Sequence, residues 1–437
     1  GAFVNPESVG LLAMACLLIL IALRVPIAIA LIAVGLLGNV YLQSFESAIV
    51  QFQLVSWEVA SNFVLVTLPI FVWMGALAQT TGLGKDLFYC FNRWFGRIHG
   101  GLAITSISCS ATFGAVTGSS VATVTAMGKM LMPEMRRYGY NQRLATGSIA
   151  AAGVLAILIP PSIPLVFYAA WTETSLGDLF IAGIIPGILL ALMFGLYVMI
   201  RCKLKPELAP GGEHYSVAER IKALPKLLPA LSLMLIVLGG IYGGYATPTE
   251  AAAIGLAWVF VIALFRGRLS AMILKESLGQ SVSLSGNIFL LFLGGVFFSR
   301  FMAQTDVTQF LIESIAGWGD SSFLIMLALL LLYLVLGAVL DTFGMIILTL
   351  PFVFPLVTSL GYEPVWFGIF IVMMIELSLI TPPIGINVFV MQRVAPDIPL
   401  TTVFKGALPF VVISLVMVLL LLIFPEIALW LPGQMKD

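Results

Sequence analysis

The stretch LITPPIGIN, residues 379–387, interrupts what would otherwise be a continuous membrane helix. Phe370, Ile371, Val372, Met373 and Met374 precede it, and Val388, Phe389, Val390 and Met391 follow. Each proline lacks a backbone donor and its ring clashes with the carbonyl one turn earlier, so an α-helix breaks here. The break frees carbonyls and amides at bilayer depth, where lipid offers no partner. Such backbone is tolerated only when buried in protein or lining a polar cavity.

The rest of the chain sets that depth. The 437 residues are 60% hydrophobic and 10% charged, with a mean hydropathy of +1.10, more than a water-soluble domain carries. Runs such as 231–245, 251–265, 324–340 and 406–424 have the length of helical spans. The alternating pattern of a membrane barrel is absent, so an all-α polytopic fold is expected. Cys16, Cys90, Cys109 and Cys202 are scattered without a CxxC, and the only histidines, His99 and His214, fall in polar loops. Neither a disulfide framework nor a metal site of the zinc type is implied. The first span leads straight into Arg24 without a small-residue cleavage site, and reads as a retained helix.

Spans are expected near 9–23, 25–42, 63–80, 145–171, 179–200, 227–247, 249–265, 284–303, 365–391 and 406–424. Two more apolar segments, 101–132 and 321–359, are broken near their centres. Taking each as a re-entrant hairpin puts 19 of the 21 basic residues on one side and leaves only Arg300 and Lys436. If each segment crossed once instead, that sorting would be lost. By the positive-inside rule both termini then face the periplasm. Segments 85–99 and 305–318 are expected to lie at the interface; the first mixes aromatic with basic side chains. Residues 201–226 form the longest polar loop and join the halves.

The halves resemble each other. Gly114, Pro133, Gly139, Pro160, Pro161, Gly183 and Pro186 recur as Gly337, Pro355, Gly361, Pro382, Pro383, Gly406 and Pro409, always 222 or 223 residues later. In the expected topology the first hairpin opens from the cytoplasm and the second from outside, so the repeats are inverted. Inverted repeats with paired Gly/Pro interruptions point to a secondary transporter whose site lies near the bilayer midplane.

Four polar elements should converge there. The first hairpin turns at Thr117, Gly118, Ser119 and Ser120; the second turns at Asp341 and Thr342, which align with Gly118 and Ser119. The interruptions supply Pro160, Pro161, Ser162 and Pro164, then Thr381, Pro382, Pro383, Gly385 and Asn387. Their hydroxyl, amide and carbonyl oxygens, with one carboxylate, suit a hard cation such as sodium better than a transition metal. Close helix packing explains an isolated serine, but not four breaks placed by symmetry. Sodium is therefore assigned to Thr117, Gly118, Ser119, Ser120, Pro160, Asp341, Thr342, Thr381, Pro382 and Gly385. Substrate is assigned to Ser119, Pro164, Asn387 and Arg300, whose guanidinium suits a carboxylate though it also suits outer headgroups. Glu376 is ionisable at membrane depth and either joins the site or braces the half-helix. Glu250, just after Pro248, reads as a structural acid at a helix start.

Three motifs in order, GAVTGSSVATVTAMGKMLMPEM (114–135), YATPTEAAAIG (245–255) and LITPPIGINVFV (379–390), resemble the large membrane subunit of tripartite ATP-independent periplasmic (TRAP) transporters, the DctM-like family. The resemblance spans essentially the whole chain. It departs at Thr117, where the family more often has serine, and at Val121, where alanine is usual. It implies a sodium-driven importer of organic acids in the bacterial inner membrane. It also implies a periplasmic binding protein that delivers substrate and a small four-helix membrane subunit beside the large one. An elevator mechanism follows from the same resemblance. Residues 1–98 and 227–319 then form the scaffold with its interfacial arms, 99–200 and 320–437 the moving halves, and 201–226 the cytoplasmic connection. A stand-alone sodium- or proton-coupled carboxylate symporter is the alternative. An intramembrane hydrolase lacks a membrane-embedded histidine beside Ser119 or Ser120, and no phosphate loop supports an ATP-driven pump.

Overall fold

The computed structural model describes residues 5–210, 212–307, 309–310, 313, 322–337, 340–383 and 385–435, and every regular element among them is helical. The chain opens with α1 (Pro6–Ala22), α2 (Ile27–Leu42), α3 (Phe45–Ala60) and α4 (Phe63–Thr80). Helix α3 was not expected as a span: Glu46, Gln51, Gln53 and Glu58 dilute its hydropathy. Next comes α5 (Leu83–Phe95), with Leu83, Leu87 and Cys90 buried along one side.

The first broken segment is α6 (Gly101–Thr117) and α7 (Ser120–Arg137). The first interrupted span is α8 (Gln142–Ala152), α9 (Leu155–Leu158) and α10 (Ile163–Thr172). Helices α11 (Leu176–Leu204), α12 (Val217–Ala223), α13 (Leu228–Tyr242) and α14 (Pro248–Phe265) follow. Glu250 and Thr247 form a reciprocal capping box at the start of α14, which satisfies two otherwise unpaired amides. Helix α15 (Ala271–Ala303) starts well before the expected 284. The expected interfacial segment 305–318 lies mostly outside the described residues.

The second hairpin is α16 (Ser322–Leu336) and α17 (Thr342–Ser359), and the second interrupted span is α18 (Pro364–Ser378) and α19 (Ile386–Val394). The chain closes with α20 (Leu400–Ile423) and α21 (Glu426–Gly433). Eight helical stretches of the described residues are long and apolar enough to cross a membrane.

Helix boundaries recur at the offset read from the sequence. Adding 222 to 120–137 gives 342–359, so α7 maps onto α17. By the same shift α1, α2, α6, α10 and α11 fall within three residues of α13, α14, α16, α19 and α20, and α8 begins where α18 does. Helices α3 and α4 together correspond to the single helix α15. Packing crosses between the halves: α2 lies on α15 and α14 on α4, α8 on α20 and α11 on α18, α7 on α19 and α10 on α17.

Helices α7 and α19 run parallel. Ser120 and Asn387 meet at their starts, Gly128 faces Val394 further along, and Arg136 in the last turn of α7 pairs at 2.6 Å with Asp397, just past the end of α19. The basic loops gather at that same end. The Asn141 amide donates to the Leu208 carbonyl at 2.9 Å, Trp94 Nε1 to the Arg220 carbonyl at 3.1 Å, and Asp86 pairs with both Arg266 and Lys226.

Candidate functional site

The polar residues at the breaks first serve as helix caps. Ser119 Oγ accepts from the Ala122 amide at 3.3 Å and starts α7. Ser162 Oγ accepts from Leu165 at 3.4 Å and starts α10. Asp341 Oδ1 accepts from Gly344 at 3.3 Å and starts α17. Gly385, with φ of 51°, precedes α19 in the left-handed region that glycine enters without penalty. Gly118 turns the first hairpin at φ 61°, and a Cβ there would stand 3.1 Å from the Pro161 carbonyl, so the hairpin tip abuts the Pro-Pro break.

All four of these helix starts reach one cavity of about 250 Å³. It is lined by Gly118, Ser119 and Ser120, by Ile163 and Pro164, by Asp341 and Thr342, and by Ile386. Four helix N-termini, each carrying partial positive charge on unpaired amides, thus surround one space. The preceding helices α6, α9 and α18 end at the same breaks and leave carbonyl oxygens there.

A second cavity of about 540 Å³ adjoins the first through Ser119, Ile163 and Leu284. Thr117 lines it, together with Gln79 of α4 and Gln280, Ser283 and Asn287 of α15. These four side chains were not anticipated. Their signal is the spacing 280, 283, 287, a polar stripe along one face of a helix that is apolar toward its end.

Several expected ligands stand outside these spaces. Thr381 Oγ1 donates back to the Leu377 carbonyl at 2.7 Å. Asn387 is fully buried behind the tip, its Nδ2 donating to Ser120 Oγ at 2.6 Å and to the Ala150 carbonyl at 3.4 Å. Pro160, Pro382 and Gly385 belong to the breaks but not to the cavity walls. Arg300, expected at the substrate, lines neither cavity: its guanidinium pairs with Glu58 of α3 at an exposed rim. The longer reach of α3, unseen in the sequence, brings that carboxylate to it.

Glu376 on α18 is fully buried and faces Ser120. Among the described residues the Ser120 hydroxyl is the polar group set against its carboxylate, which otherwise has no hydrogen-bond partner, and Oδ1 of Asn387, whose amide donates to the same hydroxyl, has none. A buried ionised carboxylate without partners is strongly destabilising. A buried carboxylate next to the Ser120 hydroxyl therefore fits a bound cation or a proton, and sodium suits such oxygen donors.

A multi-pass helical protein with paired broken helices around an internal cavity is built as a membrane permease. Comparison with known proteins gives the family. Residues 14–427 match the description "Tripartite ATP-independent periplasmic transporter, DctM component", and the chain belongs to this family as the large permease component, not an enzyme. It is 36% identical over 381 residues to the C4-dicarboxylate TRAP transporter large permease protein DctM of Pseudomonas aeruginosa, covering 86% of this chain and 88% of that one. It is 31% identical to the sialic acid TRAP transporter large permease protein SiaM of Vibrio cholerae, covering 85% and 86%. It is 30% identical to the isethionate TRAP transporter permease protein DctMQ of Oleidesulfovibrio alaskensis, covering 85% of this chain but 58% of that one. The YdaH transporter of Alcanivorax borkumensis shares the fold at a TM-score of 0.55 and 17% identity, covering 86% and 88%.

Proposed function

We propose that this chain carries a small organic anion across the bacterial inner membrane by an elevator motion coupled to sodium. The observation that carries the reading is the convergence of four helix N-termini on the cavity holding Ser119, Pro164, Asp341 and Thr342. Their dipoles favour an anionic group, while carbonyls freed at the breaks favour a cation beside it. C4-dicarboxylates, sialic acid and isethionate, named for three of the relatives, are organic anions, and ectoine, named for another, is a zwitterion that carries a carboxylate. The cavity volumes accommodate molecules of that size.

Parallel α7 and α19 support an inverted repeat. The tight turn at 138–141 sends α8 back against α7, and α10 continues the same span, so α10 and α19, equivalent in sequence, point in opposite directions. The two hairpins and two interrupted spans then form the moving body, and α4 and α15 the fixed wall. In this mechanism Gln79, Gln280, Ser283 and Asn287 contact substrate from the wall, and Ser119 from the moving tip. Sodium sits among Thr117, Ser120, Asp341 and Glu376 with carbonyls of the breaks. Filling that site compensates carboxylate charge and eases the passage of the moving body across a low-dielectric wall.

Both termini face the periplasm in this reading, because the basic loops gather at the opposite end. A periplasmic binding protein and a small membrane subunit complete the system. The relative named DctMQ, of which this chain covers little more than half, is consistent with a second unit fused to the permease. The test is reconstitution. Proteoliposomes holding this chain alone should show no uptake above background under a sodium gradient, and adding both partners should restore it. Robust uptake by the lone chain would make it a stand-alone symporter.

A further inference from the structure

At the end where the basic loops gather lies a pocket of about 440 Å³, separate from the transport cavities. Its walls are the first turn of α8, the last turns of α11, the turn at 205–208 and the start of α20. Arg143, Arg201, Lys205 and Lys405 line it, against the single carboxylate of Glu207. Among the described residues none of these five takes part in an ion pair.

The pocket is held in shape by its own bonds. The Asn141 amide donates to the Leu208 carbonyl at 2.9 Å, which ties the turn to α8. Asn141 Oδ1 caps α8 through the Arg143 amide at 3.0 Å, and the positive end of that helix opens on the pocket. Tyr197 and Phe410 close one wall, their rings packed edge to face 5.3 Å apart.

The shared fold does not require these charges. At the repeat offsets Arg143, Arg201, Lys205 and Lys405 correspond to Val365, Phe424, Ala428 and Ala182. Four unpaired cations around one cavity repel each other, and an anion with several acceptor oxygens relieves that repulsion. The apolar surface beside the pocket indicates its source. Ile200 and Leu204 on α11, and Leu408 and Val412 on α20, are exposed on the same two helices, Leu204 by 74%.

We infer that this pocket binds the phosphodiester headgroup of an anionic phospholipid, whose acyl chains lie along the exposed apolar faces of α11 and α20. Basic pockets between membrane helices on the cytoplasmic side suit such headgroups. The assignment stands independently of the transport reading.

Native mass spectrometry of the delipidated full chain, titrated with cardiolipin or phosphatidylglycerol, tests it. Combining Arg143→Gln, Arg201→Gln and Lys405→Gln should weaken the tightest bound lipid by roughly fivefold per charge removed, about 100-fold in all. Combining Arg143→Lys with Arg201→Lys keeps the charge and should keep most of the binding, which guards against a misfolded triple variant. Removing three exposed charges outside the pocket, by Lys203→Gln, Arg268→Gln and Lys275→Gln, should change little. Equal losses in both triple variants would reduce the effect to overall charge and overturn the site. Unchanged affinity in the pocket variant would overturn it too. Glycerol phosphate that binds as tightly as the lipid would make the ligand a soluble phosphate and overturn the lipid assignment.

Discussion

At the scale of single residues, Glu376 concentrates the unsolved chemistry. Its carboxylate is buried with Ser120 as its one polar neighbour among the described residues, while Asn387 is held by Ser120 and the Ala150 carbonyl. If a sodium ion neutralises Glu376, Glu376→Gln should raise the Tm in sodium-free buffer, because an isolated buried charge is removed. The same variant should lose most of the sodium-induced rise in Tm. An unchanged sodium increment would place the cation elsewhere. Arg300 gives the opposite expectation. It pairs with Glu58 at an exposed rim, and exposed ion pairs contribute about 0–1 kcal/mol. Arg300→Lys should therefore leave uptake within about twofold of wild type, since ~0.4 kcal/mol is a twofold effect. A severe loss would return Arg300 to the substrate.

At the scale of elements, the fold depends on helices that approach without side chains between them. Helix α8 crosses α20 at Gly147 and Gly406, where a Cβ on Gly147 would stand 2.2 Å from the Gly406 backbone. Gly147→Ala should separate the two halves there and destabilise the protein by about 1–3 kcal/mol, as overpacking does. Gly239→Ala, with nothing within 4 Å of the added carbon, should be silent. Thermal unfolding in one detergent compares them. The breaks at 117–120, 159–162 and 379–385 were legible because proline and glycine act on the backbone locally, whatever surrounds them. Helix α3 and the first half of α15 were not. Their Glu, Gln, Lys and Ser residues lower hydropathy, and only the tertiary structure shows that Gln280 and Ser283 face the cavity. Gln79, Gln280, Ser283 and Asn287 escaped because they lie on unbroken helices, where nothing in the backbone marks a site. Arg300 was read without its partner Glu58, which lies on the helix that was missed.

At the scale of the whole molecule, the two halves are interlocked, each packing its helices against those of the other. A site built where they meet can move as one body only if its charges are compensated in transit. That makes coupling the central claim, and Asp341 its sharpest probe. Asp341 caps α17, and asparagine caps a helix as well as aspartate does. Asp341→Asn therefore keeps the hairpin tip and removes only the charge. Initial uptake is measured against sodium concentration in proteoliposomes containing the permease, the small subunit and the binding protein. Wild type should require sodium, and Asp341→Asn should need a higher concentration or fail. Uptake driven by a proton gradient without sodium, or an Asp341→Asn curve that overlays wild type, would contradict the account.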